Sequence, residues 1–77
     1  MKRRLANVNV KLISFNGPNL DRAFVERLAL SIKEDGLISP ISVAKIGAGY
    51  HIVNGRNRLA AYIHLGRRSI DCFIVPA

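Results

Sequence analysis

One stretch constrains this chain more than any other: Ile52-Val53-Asn54-Gly55-Arg56-Asn57-Arg58-Leu59-Ala60-Ala61. A short apolar run ends in Asn-Gly, and an arginine-rich segment with helical pattern follows at once. A strand that turns directly into a helix leaves the first helical N–H groups unpaired and pointing outward. The helix dipole adds roughly half a positive charge at the same end. Arg56 and Arg58 in the first turn complete a compact anion site, suited to phosphate or carboxylate. Gly55, lacking a Cβ, lets the backbone turn sharply or approach a ligand closely. On these residues alone a second reading stays open: an ordinary helix start with Asn54 as N-cap and solvated arginines.

Charge points the same way. The chain carries 12 Lys and Arg against 5 Asp and Glu, for a net charge of +7. Four of the acids, Asp21, Glu26, Glu34 and Asp35, fall between residues 21 and 35, where Arg22, Arg27 and Lys33 balance them. Elsewhere the chain is basic, with Lys2, Arg3, Arg4 and Lys11 before that segment. Beyond it, Lys45, Arg56, Arg58, Arg67 and Arg68 face Asp71 alone. A neutral helix beside a basic remainder suits a polyanionic partner, nucleic acid or nucleotide.

With 77 residues the chain is one small domain or a piece of a longer protein. At this length folding buries only about 60–65% of the unfolded surface. No run approaches the roughly 20 apolar residues of a membrane span. Met1-Lys2-Arg3-Arg4 is followed by no apolar h-region, so no signal peptide is expected. The lone cysteine, Cys72, fits a reducing compartment, and a cytoplasmic location is expected.

Along the chain, Val8-Asn9-Val10-Lys11-Leu12 alternates as a half-buried strand does. Asn16-Gly17-Pro18-Asn19 is a concentrated turn signal. Asp21 can cap a helix with Phe24, Val25, Leu28 and Ile32 on its inner face, covering one face of a small sheet and ending at Gly36. Pro40 precedes a strand at Ile41–Ala44, and a loop over residues 45–49 leads to its antiparallel partner, Tyr50–Val53. A second helix runs from about Gly55 to His64 with Leu59, Tyr62 and Ile63 inward. Gly66 ends it, Arg67 and Arg68 follow where positive charge is favoured, and Ile70–Val75 forms a last strand. The expected fold is α+β, a small mixed sheet with two helices in the order β-α-β-β-α-β. Residues 1–6 read as a basic N-terminal arm, and 7–77 as one domain.

No complete catalytic set is present. Outside the first helix the only acid is Asp71, and His51 and His64 have no cysteine or carboxylate at ligand spacing, so no metal site is expected. Cys72 lies within an apolar strand, where a buried hydrophobe is the expectation. Ser39 and Ser42 have no Asp or His close in sequence.

The order Leu28-x-x-Ser31-Ile32-x-x-x-Gly36-x-x-x-Pro40-Ile41-x-Val43, then a hairpin, then Gly55-x-x-Arg58-x-x-Ala61 resembles the ParB/sulfiredoxin domain. Leu65-Gly66 and the closing strand continue the match across residues 7–75. The resemblance implies a ParB-like nucleotide- or nucleic-acid-binding domain, DNA-associated or regulatory, of a bacterium, plasmid or phage. It implies that the Gly-x-x-Arg turn holds nucleotide phosphates, so Asn54, Gly55, Arg56, Asn57 and Arg58 are the expected phosphate-binding residues. Ile38, Ser39 and Pro40 would border the base or ribose of a nucleotide such as CTP or ATP, alone or with magnesium. Lys2, Arg3, Arg4, Arg67 and Arg68 are the expected nucleic-acid contacts. A protein partner and a homodimer are further expectations.

Departures from the family pattern matter. Sulfiredoxin-type members have a cysteine after the turn glycine, and partition-type members have Gly-Glu-Arg-Arg. Arg56 replaces that cysteine or glutamate, and Asn57 the first arginine. The downstream phosphate motif and helix-turn-helix domain of partition proteins lie past Ala77 in that family's order and are not in this sequence. Reductase chemistry, hydrolysis of CTP or ATP, and a clamp cycle are therefore not expected. An interaction or inhibitor module on the same fold is the alternative, and a nuclease or nucleotidase, disfavoured by the shortage of acids, comes third.

Overall fold

Alternation along the strands builds the sheet. On β3 (Ile41–Ile46), Ile41 and Val43 point inward and are fully buried, and Ile70 and Cys72 do the same on β5 (Ser69–Val75). A computed structural model of the chain describes residues 4–14, 20–36 and 39–76. Together with β1 (Arg4–Asn9), β2 (Ile13–Ser14) and β4 (Gly49–Asn54) these strands form a five-stranded mixed sheet ordered β1-β5-β3-β4-β2. The β1–β5 and β3–β4 pairs are antiparallel, and β3–β5 and β2–β4 are parallel.

The first strand differs from expectation. It spans Arg4–Asn9, not Val8–Leu12, because Asn9 interrupts it. The Asn9 side chain accepts the Lys11 N–H at 2.9 Å and starts a single 3₁₀ turn over Val10–Leu12. The chain then re-enters the sheet as β2, so the order is β-β-α-β-β-α-β. Arg4, Leu5 and Ala6, expected in an arm, are paired with Ile74, Phe73 and Cys72 of β5. Residues 1–3 and the turn signal at 16–19 lie outside the described residues.

Asp21 caps α1 (Arg22–Asp35), and Gly36 closes it at φ 71, donating its N–H to the Ile32 carbonyl at 2.8 Å. The inner face is Val25, Ala29 and Ile32; Leu28 is half-buried. Phe24, expected inward, is 42% exposed, because the buried stripe is centred one residue further round the helix. Nor does α1 cover the sheet itself. Its apolar stripe packs on Ala61 of α2 (Arg56–His64), and α2 sends Leu59 into the sheet. Leu59 and Ala61 are fully buried and Tyr62 is half-buried, while Ile63, expected inward, is 49% exposed. The α2 helix is thus a middle layer, and its start is held from both sides. Burying a side chain such as Leu59 or Ile41 is worth about 1.5–3 kcal/mol.

The β3–β4 hairpin is tighter than the expected five-residue loop. The strands run on to Ile46 and Gly49, leaving only Gly47 and Ala48 in the turn, with Gly47 at φ 59. At the far end of that hairpin β4 delivers Asn54 to the head of α2.

Candidate phosphate-binding site

β4 ends at Asn54, Gly55 makes the turn at φ 105, and α2 begins at Arg56. The N-cap is Gly55, not Asn54, and no side chain caps the helix. The first helical bond runs from the Leu59 N–H to the Gly55 carbonyl at 3.0 Å. The N–H groups of Arg56, Asn57 and Arg58 therefore have no acceptor among the described residues. A side chain at 55 would be a steric conflict: a Cβ there would sit 2.5 Å from Cγ2 and 2.9 Å from Cβ of Ile41. The glycine is required by packing of the turn against β3 as well as by its φ.

An open cavity of about 600 Å³ lies over this junction. One side is polar and formed by Asn54–Arg58; the other is apolar and formed by Phe24, Leu28 and Val53. All five expected phosphate-binding residues are thus brought together. The apolar wall has no signal in the sequence, where Phe24 keeps the helical spacing of a core residue and Val53 continues an apolar strand; in the structure they are 42% and 54% exposed. Among the described residues no carboxylate lines the cavity, and the one ion pair is Arg22–Glu26 on α1, at 3.4 Å.

Arg58 does more than face the cavity. Its Nη1 donates to the carbonyls of Ser39 and Pro40, both at 3.1 Å, fastening the approach to β3 onto α2. Ser39 and Pro40 therefore touch the site through Arg58 and do not line the cavity, while Ile38 lies outside the described residues. Nε and Nη2 of Arg58 have no partner among the described residues.

The expected nucleic-acid contacts separate. Arg67 and Arg68 follow the C-terminal end of α2, at the opposite end from Gly55. Arg4 pairs with Ile74 while Asn9 pairs with Ser69, so Arg4 stands about 17 Å along the ladder from the Arg68 end. Lys11, not singled out from sequence, joins Arg67 and Arg68 around a second cavity. Lys2 and Arg3 lie outside the described residues.

Cys72 is fully buried, its Sγ 3.4 Å from the Ile70 carbonyl, and burial followed by the neighbouring Asp71 carboxylate pushes its thiol up to about 11. Such a thiol stays protonated and is a poor nucleophile. Among the described residues no three His, Cys, Asp or Glu side chains gather as a metal-binding group, and no helix is long and apolar enough to cross a membrane.

Sheet order, helix layering and the glycine-headed α2 define a domain of ParB/sulfiredoxin architecture. The chain belongs to the ParB N-terminal domain family, whose pattern matches residues 2–77. A probable chromosome-partitioning protein ParB from Campylobacter jejuni is 43% identical over 56 residues, which is 73% of this chain and 20% of that protein. The chain therefore spans about a fifth of the curated relative's length. Among solved structures, sulfiredoxin from Arabidopsis thaliana superposes with a TM-score of 0.84 at 26% identity, covering 96% of this chain and 86% of that one. The C-terminally truncated chromosome-partitioning protein ParB from Caulobacter crescentus, complexed with CTP-γ-S, superposes with a TM-score of 0.81 at 20% identity, covering 96% and 45%.

Proposed function

We propose that this ParB-family domain binds a nucleotide by its phosphates at the N-terminus of α2, serving a DNA-associated or regulatory process in a bacterium, plasmid or phage. The observation that carries the reading is the uncapped helix start: among the described residues the N–H groups of Arg56, Asn57 and Arg58 have no acceptor and the two arginines beside them no carboxylate partner. Dipole, N–H groups and guanidinium forks all favour an anion at one place. The Caulobacter relative was solved with a CTP analogue, which supports a nucleotide as the source of that anion. CTP and ATP are the first ligands to try.

Magnesium does not fit as a resident ion of this chain. The cavity offers it only the neutral side-chain oxygens of Asn54 and Asn57, whereas magnesium sites are built on one or two carboxylates and substrate phosphates. Binding without turnover is the expected combination. The test is calorimetric titration with CTP, ATP, cytidine and inorganic phosphate. The triphosphates should bind and cytidine should not. Equal affinity for CTP and cytidine would sink a phosphate-based mode.

A further inference from the structure

We propose that the second cavity, at the other end of α2, is a contact for the phosphate backbone of a nucleic-acid duplex, made by Lys11, Arg67 and Arg68. The cavity, of about 460 Å³, lies between the 3₁₀ turn and the segment that follows α2. Asn9, Ile63 and Gly66 also line it, and among the described residues no carboxylate does. All three cations are exposed, and none makes an ion pair among the described residues.

Favourable placement at a helix C-terminus would account for Arg67. It does not account for Lys11, which reaches the same cavity from the β1–β2 connection. Three like charges converging from separate segments repel one another until an anion arrives. Their backbone is nevertheless held in place. The Val10 N–H donates to the Arg68 carbonyl at 3.0 Å, joining the two segments. Asn9 accepts the Lys11 N–H, and Gly66, at φ 74, lets the Arg67 N–H reach the Tyr62 carbonyl at 3.0 Å.

The type of ligand follows from what the cavity lacks. The N–H groups of Val10, Lys11, Gly66 and Arg67 are already spent on internal hydrogen bonds. The side-chain charges and the single N–H of Arg68 remain, which suits backbone phosphates read without sequence preference more than a mononucleotide cradled by several N–H groups. A single strand would need an aromatic stacking platform. Among the described residues no aromatic lines the cavity, and nearby Tyr62 is half-buried with the Arg67 guanidinium 5.8 Å from its ring centre. A duplex remains, and DNA and RNA duplexes present the same backbone chemistry.

The experiment is fluorescence anisotropy with a labelled duplex of about 20 base pairs and arbitrary sequence, across about 50 to 200 mM salt. DNA and RNA duplexes form separate arms, with one single strand of equal length as comparison. Other cations of the chain add to the absolute salt slope, so differences carry the result. R67A/R68A should lower the slope of log K against log salt by about 1.8, and K11A by about 0.9, one released counterion per phosphate. R67K/R68K should keep the slope, since point charges suffice. Unchanged slopes in both R67A/R68A and K11A, or a single strand bound as tightly as a duplex, would overturn the proposal. CTP titration of the same variants reads the cavity at the start of α2 separately, so the two proposals fail independently.

Discussion

The two helices of this domain begin in opposite ways. At α1 the Asp21 carboxylate accepts the N–H groups of Ala23 and Phe24 at 3.0 and 3.3 Å, and its charge suits the positive end of the helix dipole. At α2 the cap is a glycine with no side chain, three N–H groups have no acceptor among the described residues, and Arg56 and Arg58 add positive charge to a positive end. By the dipole rule each such charge is unfavourable by about 0.3–1 kcal/mol. One end is finished from within; the other gives up stability at the place where an anion would restore it. That asymmetry, more than the count of basic residues, locates the candidate site.

The largest expected effect comes from the residue that makes the open end possible. Gly55→Ala places a Cβ against Ile41 at a φ of 105, and strain plus overpacking should cost about 3 kcal/mol or more. That is a large share of the roughly 4–12 kcal/mol expected for a chain of this size. Urea unfolding measures it, and a loss below about 1 kcal/mol would show that the turn can rearrange.

Next is Arg58→Ala, which removes a guanidinium from the cavity and unfastens the Ser39 and Pro40 carbonyls. Nucleotide affinity should fall by roughly 1.5–3 kcal/mol, about 10- to 150-fold. Arg58→Lys should rescue only partly, for want of the planar fork. Calorimetry on both variants reads this, and wild-type affinity in Arg58→Ala would remove the residue from the site.

Cys72 offers a control away from both helix starts. Its thiol is raised from 9.0 to about 11 in the folded protein, so the folded state holds its proton over a range where the unfolded chain loses it. The stability this provides is complete below pH 9 and fades as pH rises toward 11, by about 2 kcal/mol in order of magnitude. Cys72→Val, followed by urea unfolding across that range, should flatten this part of the pH dependence.

The smallest effect sharpens the comparison. Asp21→Ala should cost about 1 kcal/mol of stability through the lost cap and leave nucleotide affinity unchanged. A matching loss of affinity would mean the two helix starts are not separate in function.

The junction at Asn54–Arg58 was legible in the sequence because its signals are local: an apolar run, a glycine and a helical arginine pair. Gly55's second reason, the approach to Ile41, depends on β3 lying beside the turn, and no local pattern carries that. The two functions of Arg58 likewise depend on where residues 39 and 40 arrive. Phe24 keeps helical spacing with Leu28 and Ile32, which is the pattern of a core residue, yet the helix is seated on Val25 and Ala29, which turns the ring toward the cavity. Alternation from Val8 to Leu12 predicts a strand there, but the Asn9 side chain captures a backbone N–H and bends the chain. The sheet order β1-β5-β3-β4-β2 rests on long-range pairing, and nothing in the strand patterns separately encodes it.

The most direct test of the central claim follows backbone amide resonances of the isotopically labelled protein during titration with CTP. An open, anion-binding start to α2 predicts the largest saturable shifts at Arg56, Asn57 and Arg58, with Ala23, already bonded to Asp21, nearly still. Cytidine should leave all of them in place. Shifts that are absent at 56–58 under saturating CTP, or equally large at Ala23, would contradict the account.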